Sequence, residues 1–244
     1  MVDKISYEAE TGVPFSIWGG ENETRHVHDE AVPEIVHRLM QPVAKLVFQS
    51  DALPKTCTGF LIAEDTLLTN QHCINNAEAC ASLAVVFGYE YGPDNRIRFG
   101  EQFTCAGFEP NRSSFELDAT LVQLNGSPGL TYGAVDVAAT DAEIAGPLII
   151  IQHPGGEPKQ VSFIACEALQ DPVDGRGPET DFTHTCDTAG GSSGAPVFDQ
   201  EGRLVGLHHY GFAEGQIEAW TENRAVKFNR LHGWMVSGQE DGSD

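Results

Sequence analysis

The stretch Asp187-Thr-Ala-Gly-Gly-Ser-Ser193-Gly-Ala-Pro-Val-Phe198 determines how the rest of this chain is interpreted. Small residues on both sides of Ser193 leave room for a bound substrate, and the glycines allow the backbone to turn sharply. The amide N–H groups of Gly191 and Ser193 can then converge on one developing oxyanion. This pattern is typical of a nucleophilic serine.

A serine hydroxyl is a weak nucleophile unless a base removes its proton and a third group orients that base. Upstream, His72 lies in Leu-Leu-Thr69-Asn-Gln-His72-Cys73, and Asp118 lies in Glu-Leu-Asp118-Ala-Thr-Leu-Val-Gln-Leu124. The order His, Asp, Ser is that of chymotrypsin-type enzymes and differs from the orders of subtilisin and the α/β-hydrolases. We therefore predict a catalytic triad of His72, Asp118 and Ser193, with Gly191 and Ser193 forming the oxyanion hole.

The chain has 244 residues with 26 Gly and 13 Pro, which favours short strands joined by many turns. Apolar runs recur at short intervals: Val43–Phe48, Gly59–Ala63, Leu83–Phe87, Ala119–Leu124, Leu148–Gln152, Val161–Ala165, Ala195–Phe198 and Leu204–His208. The pattern predicts an all-β fold, and Arg224–Val236, with near-helical apolar spacing, predicts a C-terminal helix.

His72 and Asp118 fall in the first half of the chain and Ser193 in the second, so a cleft between two barrels would bring them together. We expect four segments: an N-terminal tail or propeptide remnant over 1–15, a first barrel over 16–130, a second barrel with its helix over 131–236, and an acidic disordered tail over 237–244. Met1–Glu8 has no apolar signal core, so the signal peptide has been removed or export follows another route.

The formal net charge of −22 argues against nucleic acid and anionic membranes as partners, because both would repel the chain. No apolar run approaches the roughly 18 residues that a membrane-spanning helix needs. The expected partners are polypeptide substrates, and we expect a monomer. The charge itself is interpreted as a strongly hydrated surface.

Six cysteines form an even set. A Cys57–Cys73 bridge would hold the histidine loop against its neighbouring strand, with a loop-entropy gain of roughly 3 kcal/mol. Cys80–Cys105 and Cys166–Cys186 are the expected further pairs, although sequence leaves connectivity open. The cysteines are scattered without a Cys-x-x-Cys pair, so we predict no metal site and an oxidising, extracytoplasmic compartment.

The chain resembles the bacterial glutamyl endopeptidases of the chymotrypsin-like clan. The resemblance lies in four blocks: Cys57-Thr-Gly-Phe-Leu-Ile with Thr69-Asn-Gln-His72-Cys73-Ile, then Asp118–Leu124, Asp187–Phe198, and Ser16-Ile-Trp-Gly-Gly-Glu-Asn-Glu-Thr24-Arg25. It implies two six-stranded antiparallel barrels, a secreted serine endopeptidase made as a zymogen, and no cofactor.

Three residues depart from the family pattern. Asn70-Gln71 stands where two small residues usually precede the histidine, and Ala195 stands where Ser or Gly is commoner. Neither change removes a catalytic atom. The alternatives that remain open are an inactive protease-fold binding module and an intracellular regulatory protease.

The residues expected to select the substrate predict two different specificities. His208 and Thr188 match the family positions that receive a substrate carboxylate, which predicts cleavage after Glu or Asp. Asp187 lies six residues before Ser193, where trypsin-like enzymes carry the aspartate that selects Lys or Arg. Tyr210 and Gly211 are expected to pair with the substrate backbone. The other histidines are interpreted as loop or surface residues: His26, His28, His37, His153, His184 and His232.

Overall fold

The computed structural model describes residues 4–8, 14–18, 21–50, 53–138, 144–211 and 222–240. Nineteen strands lie in this part of the chain: β1 Lys4–Glu8, β2 Pro14–Trp18, β3 Arg25–His26, β4 Val43–Ser50, β5 Leu53–Leu61, β6 Thr66–Thr69, β7 Ala84–Phe87, β8 Glu90–Tyr91, β9 Ile97–Arg98, β10 Gln102–Gly107, β11 Ser113–Ser114, β12 Ala119–Leu124, β13 Leu148–Gln152, β14 Gln160–Ser162, β15 Asp181–His184, β16 Thr188–Ala189, β17 Pro196–Asp199, β18 Leu204–Tyr210 and β19 Asn223–Lys227.

The helices are short apart from the last one. They are α1 Val36–Leu39, α2 Ala77–Ala81, α3 Gly129–Tyr132 and α4 Phe228–Glu240, with 3₁₀ turns at Pro110–Arg112 and Pro154–Gly156. The predicted mostly-β fold is confirmed. Within the described ranges, no helix is both long enough and apolar enough to cross a membrane.

The first large sheet closes into a barrel. Its strand order is β10-β7-β4-β5-β6-β12-β11, and an additional β10–β12 pairing joins the ends of a six-stranded ring, with β11 attached outside. Closure leaves none of these six strands as an open edge. His72 follows β6 and Asp118 precedes β12, and these two strands pair with Thr69 opposite Thr120. The barrel therefore brings two of the predicted triad residues together at the same end of neighbouring strands.

The second large sheet has the order β15-β19-β18-β17-β13-β14-β3. Isolated bridges Pro147–Glu167 and Ala168–His184 connect the start of β13 to β15 through the intervening segment. Ser193 lies on the loop between β16 and β17. Strand β3 lies within the range expected for the first barrel, but it pairs with β14 and so covers the edge of the second sheet.

One hydrophobic core continues from the first barrel into the second. Phe60, Leu68 and Ala119 of the first barrel belong to the same buried cluster as Ile149, Phe198 and Leu207 of the second. Two further clusters fill the individual barrels. Because interiors pack at crystal-like density, this shared core holds the two halves of the active site in one relative position.

The six cysteines form three disulfides, Cys57–Cys73, Cys80–Cys105 and Cys166–Cys186, which are the pairs expected from the sequence. The first joins β5 to the residue after His72. The other two link α2 to β10 and the segment after β14 to the segment after β15.

The C-terminal region differs from the sequence-based expectation. Residues 224–227, expected in the helix, belong to strand β19, and helix α4 begins at Phe228. The apolar residues Ala225 and Val226 fit a strand paired with β18 as well as the apolar face of a helix. The pattern of so few residues therefore could not distinguish a strand from a helix. Helix α4 continues to Glu240, so residues 237–240 are helical where a disordered tail was expected, and 241–244 lie outside the described residues.

The N-terminal segment forms a small sheet of its own. Strands β1 and β2 form a hairpin, and β2 pairs with β16 so that Ser16 lies opposite Thr188 and Phe15 opposite Ala189. The boundary between residues 15 and 16 therefore lies inside a strand that borders the loop of the predicted nucleophile.

Candidate active site

His72 and Asp118 are in direct contact. His72 Nδ1 lies 2.8 Å from Asp118 Oδ2, and the backbone N–H of His72 donates to Asp118 Oδ1 at 2.9 Å. The Asp118 side chain is fully buried, whereas His72 keeps 29% of its side chain exposed. A base that is oriented on its inner side and open on its outer side suits proton transfer to a bound substrate.

Asp118 is fixed by a residue that the sequence marked only as a departure. Its backbone has φ +43°, which is unusual for a residue with a side chain. The buried Asn70 amide donates to the Asp118 carbonyl at 2.9 Å, while Asn70 O accepts from the backbone N–H of Cys73. Asn70 thus connects the turn that carries His72 to the turn that carries Asp118.

The loop around Ser193 is held by its carbonyl groups. Gly190 O accepts from Gly155 N at 2.6 Å, and Ser192 O accepts from Ala195 N at 3.0 Å. A trans peptide points its N–H away from its C=O, so the amides of Gly191 and Ser193 are directed away from these inward contacts. Gly191 needs its φ of +98° for this geometry. Among the described residues, neither the Gly191 N–H nor the Ser193 N–H donates a backbone hydrogen bond.

The Ser193 hydroxyl occupies a resting position. Among the described residues its hydrogen bond goes to the carbonyl of His209 at 3.3 Å and not to His72. Catalytic hydrogen bonds are often long or misaligned without substrate and tighten when it binds. A rotation about the Cα–Cβ bond of Ser193 would redirect Oγ without moving the backbone.

Arg176 lies beside the same carboxylate. Its guanidinium is 3.2 Å from Asp118 Oδ1 and donates to Gln71 Oε1 at 2.9 Å and to the Tyr210 hydroxyl. The Tyr210 ring stacks on His72 with centroids 5.3 Å apart. Gln71 is the second family departure, so both unusual residues before His72 serve to connect it to its surroundings. Nothing in the sequence singled out Arg176.

Beneath Asp118 lies a second histidine that sequence reasoning missed. His209 Nδ1 is 3.2 Å from Asp118 Oδ2, and its Nε2 is 2.7 Å from Asp181 Oδ2. Burial alone would lower the pKa of His209, but the hydrogen bonds to Asp118 and Asp181 raise it. Burial would also raise the pKa of Asp118, yet hydrogen bonds from His209 and His72 lower it well below the usual range.

His208 points to a different partner. His208 Nδ1 lies 3.1 Å from His184 Nε2, and both rings are buried. Burial lowers the pKa of His184 to about 3 and lowers that of His208 well below its usual value. His184, expected at the surface, is therefore a core residue, as is His153, whose burial lowers its pKa to about 3. His153 directly follows the apolar run of β13, whereas His184 lies between Thr183 and Thr185, so hydropathy gave no sign of burial for His184.

The His184–His208 pair has a preferred tautomer. His184 Nδ1 is buried without a partner among the described residues. An unpaired lone pair costs less than an unpaired N–H, so His184 carries its proton on Nε2 and donates it to His208 Nδ1. His208 is then left with its own proton on Nε2.

The remaining predicted pocket residues lie around β16 and β18. Thr188 and Asp187 are buried, and Asp187 Oδ2 accepts from the backbone N–H of Glu23 at 2.8 Å. Gly211 follows directly after β18 and is the last described residue before 222. The Asp187 carboxylate is thus engaged by backbone in this structure.

The only metal-like grouping in the described part of the chain is Cys57, His72 and Cys73. Its two sulfurs are joined in a disulfide and are not thiolates, so they are poor ligands. This cluster is not a metal centre.

The sequence of residues 57–207, more than half of the chain, matches the trypsin-like peptidase domain. The chain belongs to this family. The chain is 32% identical over 174 residues to an uncharacterized protein of Sinorhizobium fredii, covering 66% of this chain and 26% of the relative. It is 22% identical over 181 residues to a glutamyl endopeptidase of Staphylococcus aureus, covering 68% of this chain and 46% of the relative.

The fold of the chain has solved counterparts. A structure of a Glu endopeptidase matches with a TM-score of 0.61 and 20% identity, covering 91% of this chain and 98% of that one. The resemblance to chymotrypsin-like serine proteases is thereby confirmed. The chain spans about a quarter of the Sinorhizobium relative and about half of the Staphylococcus relative.

Gly194 offers a test of the loop geometry. It has φ +87°, and a Cβ there would lie 2.1 Å from the Thr58 carbonyl oxygen and 2.4 Å from Thr69 Oγ1. Gly194→Ala should lower the free energy of unfolding by about 3 kcal/mol, because strain and backbone overlap add. Gly233→Ala is the matched control, since Gly233 lies in α4 with open space around it, and should stabilise by about 1 kcal/mol. Urea denaturation measures both; an unchanged midpoint for Gly194→Ala would contradict this geometry.

Proposed function

We propose that the chain is a serine endopeptidase that hydrolyses peptide bonds through Ser193, His72 and Asp118. The observation that carries the proposal is the 2.8 Å contact between His72 Nδ1 and the buried Asp118 carboxylate. The neighbouring loop supports it, because it presents Ser193 with two amide groups that are not used internally. An inactive binding module would not need this contact or this loop geometry.

In the proposed reaction, Ser193 Oγ attacks the scissile carbonyl while His72 Nε2 takes its proton. The amides of Gly191 and Ser193 stabilise the tetrahedral oxyanion, and one such donor is worth roughly 3–4 kcal/mol in comparable enzymes. His72 then gives the proton to the leaving amine, which departs and leaves an acyl-enzyme. Water deacylates Ser193 by the same steps, with His72 again acting as base and then as acid.

Cleavage after Glu or Asp is the specificity that the site supports best. His208 lies on β18, and its carbonyl accepts from the N–H of Gly194 at 2.8 Å, so this part of the strand borders the nucleophile loop. Its Nε2 proton is a donor for a substrate carboxylate, and binding that carboxylate would favour a second proton on the ring. The Staphylococcus relative and the structural counterpart, both described as cleaving at glutamate by name, agree with this proposal.

The Lys or Arg alternative depends on Asp187. Its carboxylate is buried and accepts the N–H of Glu23, so a substrate cation would have to compete with an existing contact. This arrangement favours a structural role for Asp187 in holding the N-terminal segment against the pocket wall.

We further propose a secreted enzyme with two barrels over 16–130 and 131–236, released from a precursor by cleavage near Ser16. Three disulfides support an oxidising compartment. Strand β2 borders β16, so cleavage before Ser16 would place a new amino terminus next to the pocket wall. Ser192 is buried and its Oγ accepts from Ala189 N, so it offers no carboxylate to a new amino group. Activation would instead complete the pocket.

Ser193→Ala should abolish peptide hydrolysis and labelling by a fluorophosphonate probe, because no other serine combines the loop and the neighbouring base. The free energy of unfolding should stay within about 1 kcal/mol of wild type. The matched control is Ser192→Ala, which should keep the label but lose about 1–3 kcal/mol of stability by leaving Ala189 N unpaired. Peptide mapping of the label decides; a label on Ser192 would refute the assignment.

Glu specificity predicts a particular pH dependence. Because His208 is neutral near pH 7 and a bound carboxylate favours its protonated form, kcat/KM for a Glu peptide relative to its Gln isostere should rise as pH falls. His208→Gln should reduce this ratio at least about tenfold and leave the Gln peptide within about threefold.

The control for the pocket is Asp187→Asn, which keeps an oxygen for Glu23 N and should leave the Glu-to-Gln ratio within about twofold. A wild-type enzyme that prefers Lys or Arg peptides and loses them in Asp187→Asn would establish the trypsin-like alternative and reject the glutamyl one.

The activation proposal predicts that a chain beginning at Ser16 is more active than the chain beginning at Met1. N-terminal sequencing of active enzyme, with kcat/KM measured for both forms, tests this prediction. Full activity with Met1 retained would show that the N-terminal hairpin needs no removal.

A further inference from the structure

Two adjacent histidines on β18 face opposite environments. His208 contacts another histidine, whereas the His209 ring is enclosed by two carboxylates, Asp118 at Nδ1 and Asp181 at Nε2. The His209 side chain is 1% exposed, and both carboxylates are fully buried. Nothing in the triad mechanism described above requires this second histidine or the second aspartate.

The geometry defines the protonation of the ring. Neutral imidazole has one N–H and one lone pair, and a lone pair directed at a buried carboxylate oxygen is repelled. Both nitrogens of His209 must therefore carry protons for both contacts to be favourable. Charge-assisted hydrogen bonds of this kind are about twice as strong as neutral ones.

Asp118 shares one oxygen between two histidines. Its Oδ2 receives His72 Nδ1 at 2.8 Å and His209 Nδ1 at 3.2 Å, while Oδ1 lies 3.2 Å from Arg176. The negative charge of Asp118, which orients and stabilises a protonated His72, is thus partly compensated by His209 and Arg176. Asp181, on the far side of His209, partly compensates the positive charge of that ring. Its Oδ1 accepts from Thr180 Oγ1 at 2.8 Å.

Other charged or titratable groups around His209 come from its own strand and from the elements packed against it: His208 and Tyr210 on β18, His184 on β15, His72 after β6, and Arg176 in the segment before β15. Burial holds His184 and His208 in the neutral form near pH 7. His209 is therefore the charged member of these three neighbouring histidines.

We propose that Asp181 and His209 extend the triad: protonated His209 is a positioning residue that holds the Asp118 carboxylate, and the charge balance of the pair sets the acidic limit of activity. This inference rests on the proposed function, in which His72 must be neutral to act as base. His209 also contacts the other end of the triad, since its carbonyl accepts the resting Ser193 hydroxyl.

The two members of the pair should act in opposite directions. Removing the His209 charge leaves more negative potential at His72, so His72 keeps its proton to higher pH and the acidic limb of kcat/KM moves up. Removing the Asp181 charge leaves the His209 cation uncompensated, so the limb moves down. A role in packing alone would move the limb in neither variant.

The experiment compares His209→Gln and Asp181→Asn with wild type, using an uncharged peptide substrate so that the specificity pocket does not titrate. The acidic limb of kcat/KM should move up by about one pH unit in His209→Gln and down by a similar amount in Asp181→Asn. Limbs that stay in place, or that move in the same direction, overturn the proposal.

Two further variants separate charge from folding. His209→Gln/Asp181→Asn leaves no unpaired buried carboxylate at Asp181, so it should be more stable than His209→Gln, with a limb between those of the single variants. Glu90→Gln removes the carboxylate of a partly buried ion pair with Lys159, at 3.2 Å, which has no part in the triad mechanism. Glu90→Gln should leave the acidic limb of kcat/KM in place. If the limb moves as far in Glu90→Gln as in His209→Gln, the shift is a general effect of lost stability and the proposal is overturned.

Nitrogen NMR of the histidine rings gives a readout that does not need activity. His209 should show two protonated ring nitrogens from pH 5 to pH 8, and a neutral His209 ring at pH 7 refutes the proposal. If wild type neither hydrolyses peptides nor binds the fluorophosphonate at Ser193, the proposed function fails, while the ring signal still tests the charge on His209. An active wild type with a neutral His209 rejects only the extension of the triad.

Discussion

The buried Asp118 carboxylate is the interaction on which the site depends. It receives the His72 ring and backbone N–H, the His209 ring and the Arg176 guanidinium, and no part of its side chain reaches water. A buried carboxylate stays ionised only when hydrogen bonds and positive charge replace the lost hydration. Several elements meet that requirement by placing donors and positive charge around Asp118. They are the adjacent barrel ends, the Asn70 contact and the segment that carries Arg176.

The surrounding architecture follows from this constraint. Donors to Asp118 come from both barrels, so its hydration can be replaced only when the barrels are docked. The continuous core through Phe60, Ile149 and Leu207 supplies that docking. Catalytic geometry and folding are therefore coupled, because the barrel interface and the charged cluster form together. The strained backbone of Asp118 is the local cost of placing its carboxylate there.

The charged cluster also explains the two departures before His72. Small residues at this point would leave the Asp118 carbonyl and the Arg176 guanidinium without their present partners, Asn70 and Gln71. The two adjacent histidines of β18 also differ in charge. His208 remains neutral beside His184, whereas His209 is charged between carboxylates. The two residues are adjacent in sequence but have different hydrogen-bond partners, and the charge on His209 further lowers the pKa of His208.

The sequence by itself determined the fold class, the family resemblance and the residues proposed as triad, whereas the pairing of the six cysteines was an expectation that the tertiary structure decided. Strands β12 and β13 were located to the residue from their apolar residues; β13 is buried at every position, as a continuous apolar run requires, whereas β12 has two half-buried positions. The tertiary structure alone decided that β15 is a strand, that His153 and His184 are buried, and that Arg176, Asp181 and His209 surround Asp118. Their burial rests on polar partners distant in sequence. Hydropathy describes only the free-energy cost of moving a side chain out of water. For these polar residues, hydrogen bonds to residues distant in the chain offset that cost, and those hydrogen bonds form only after folding.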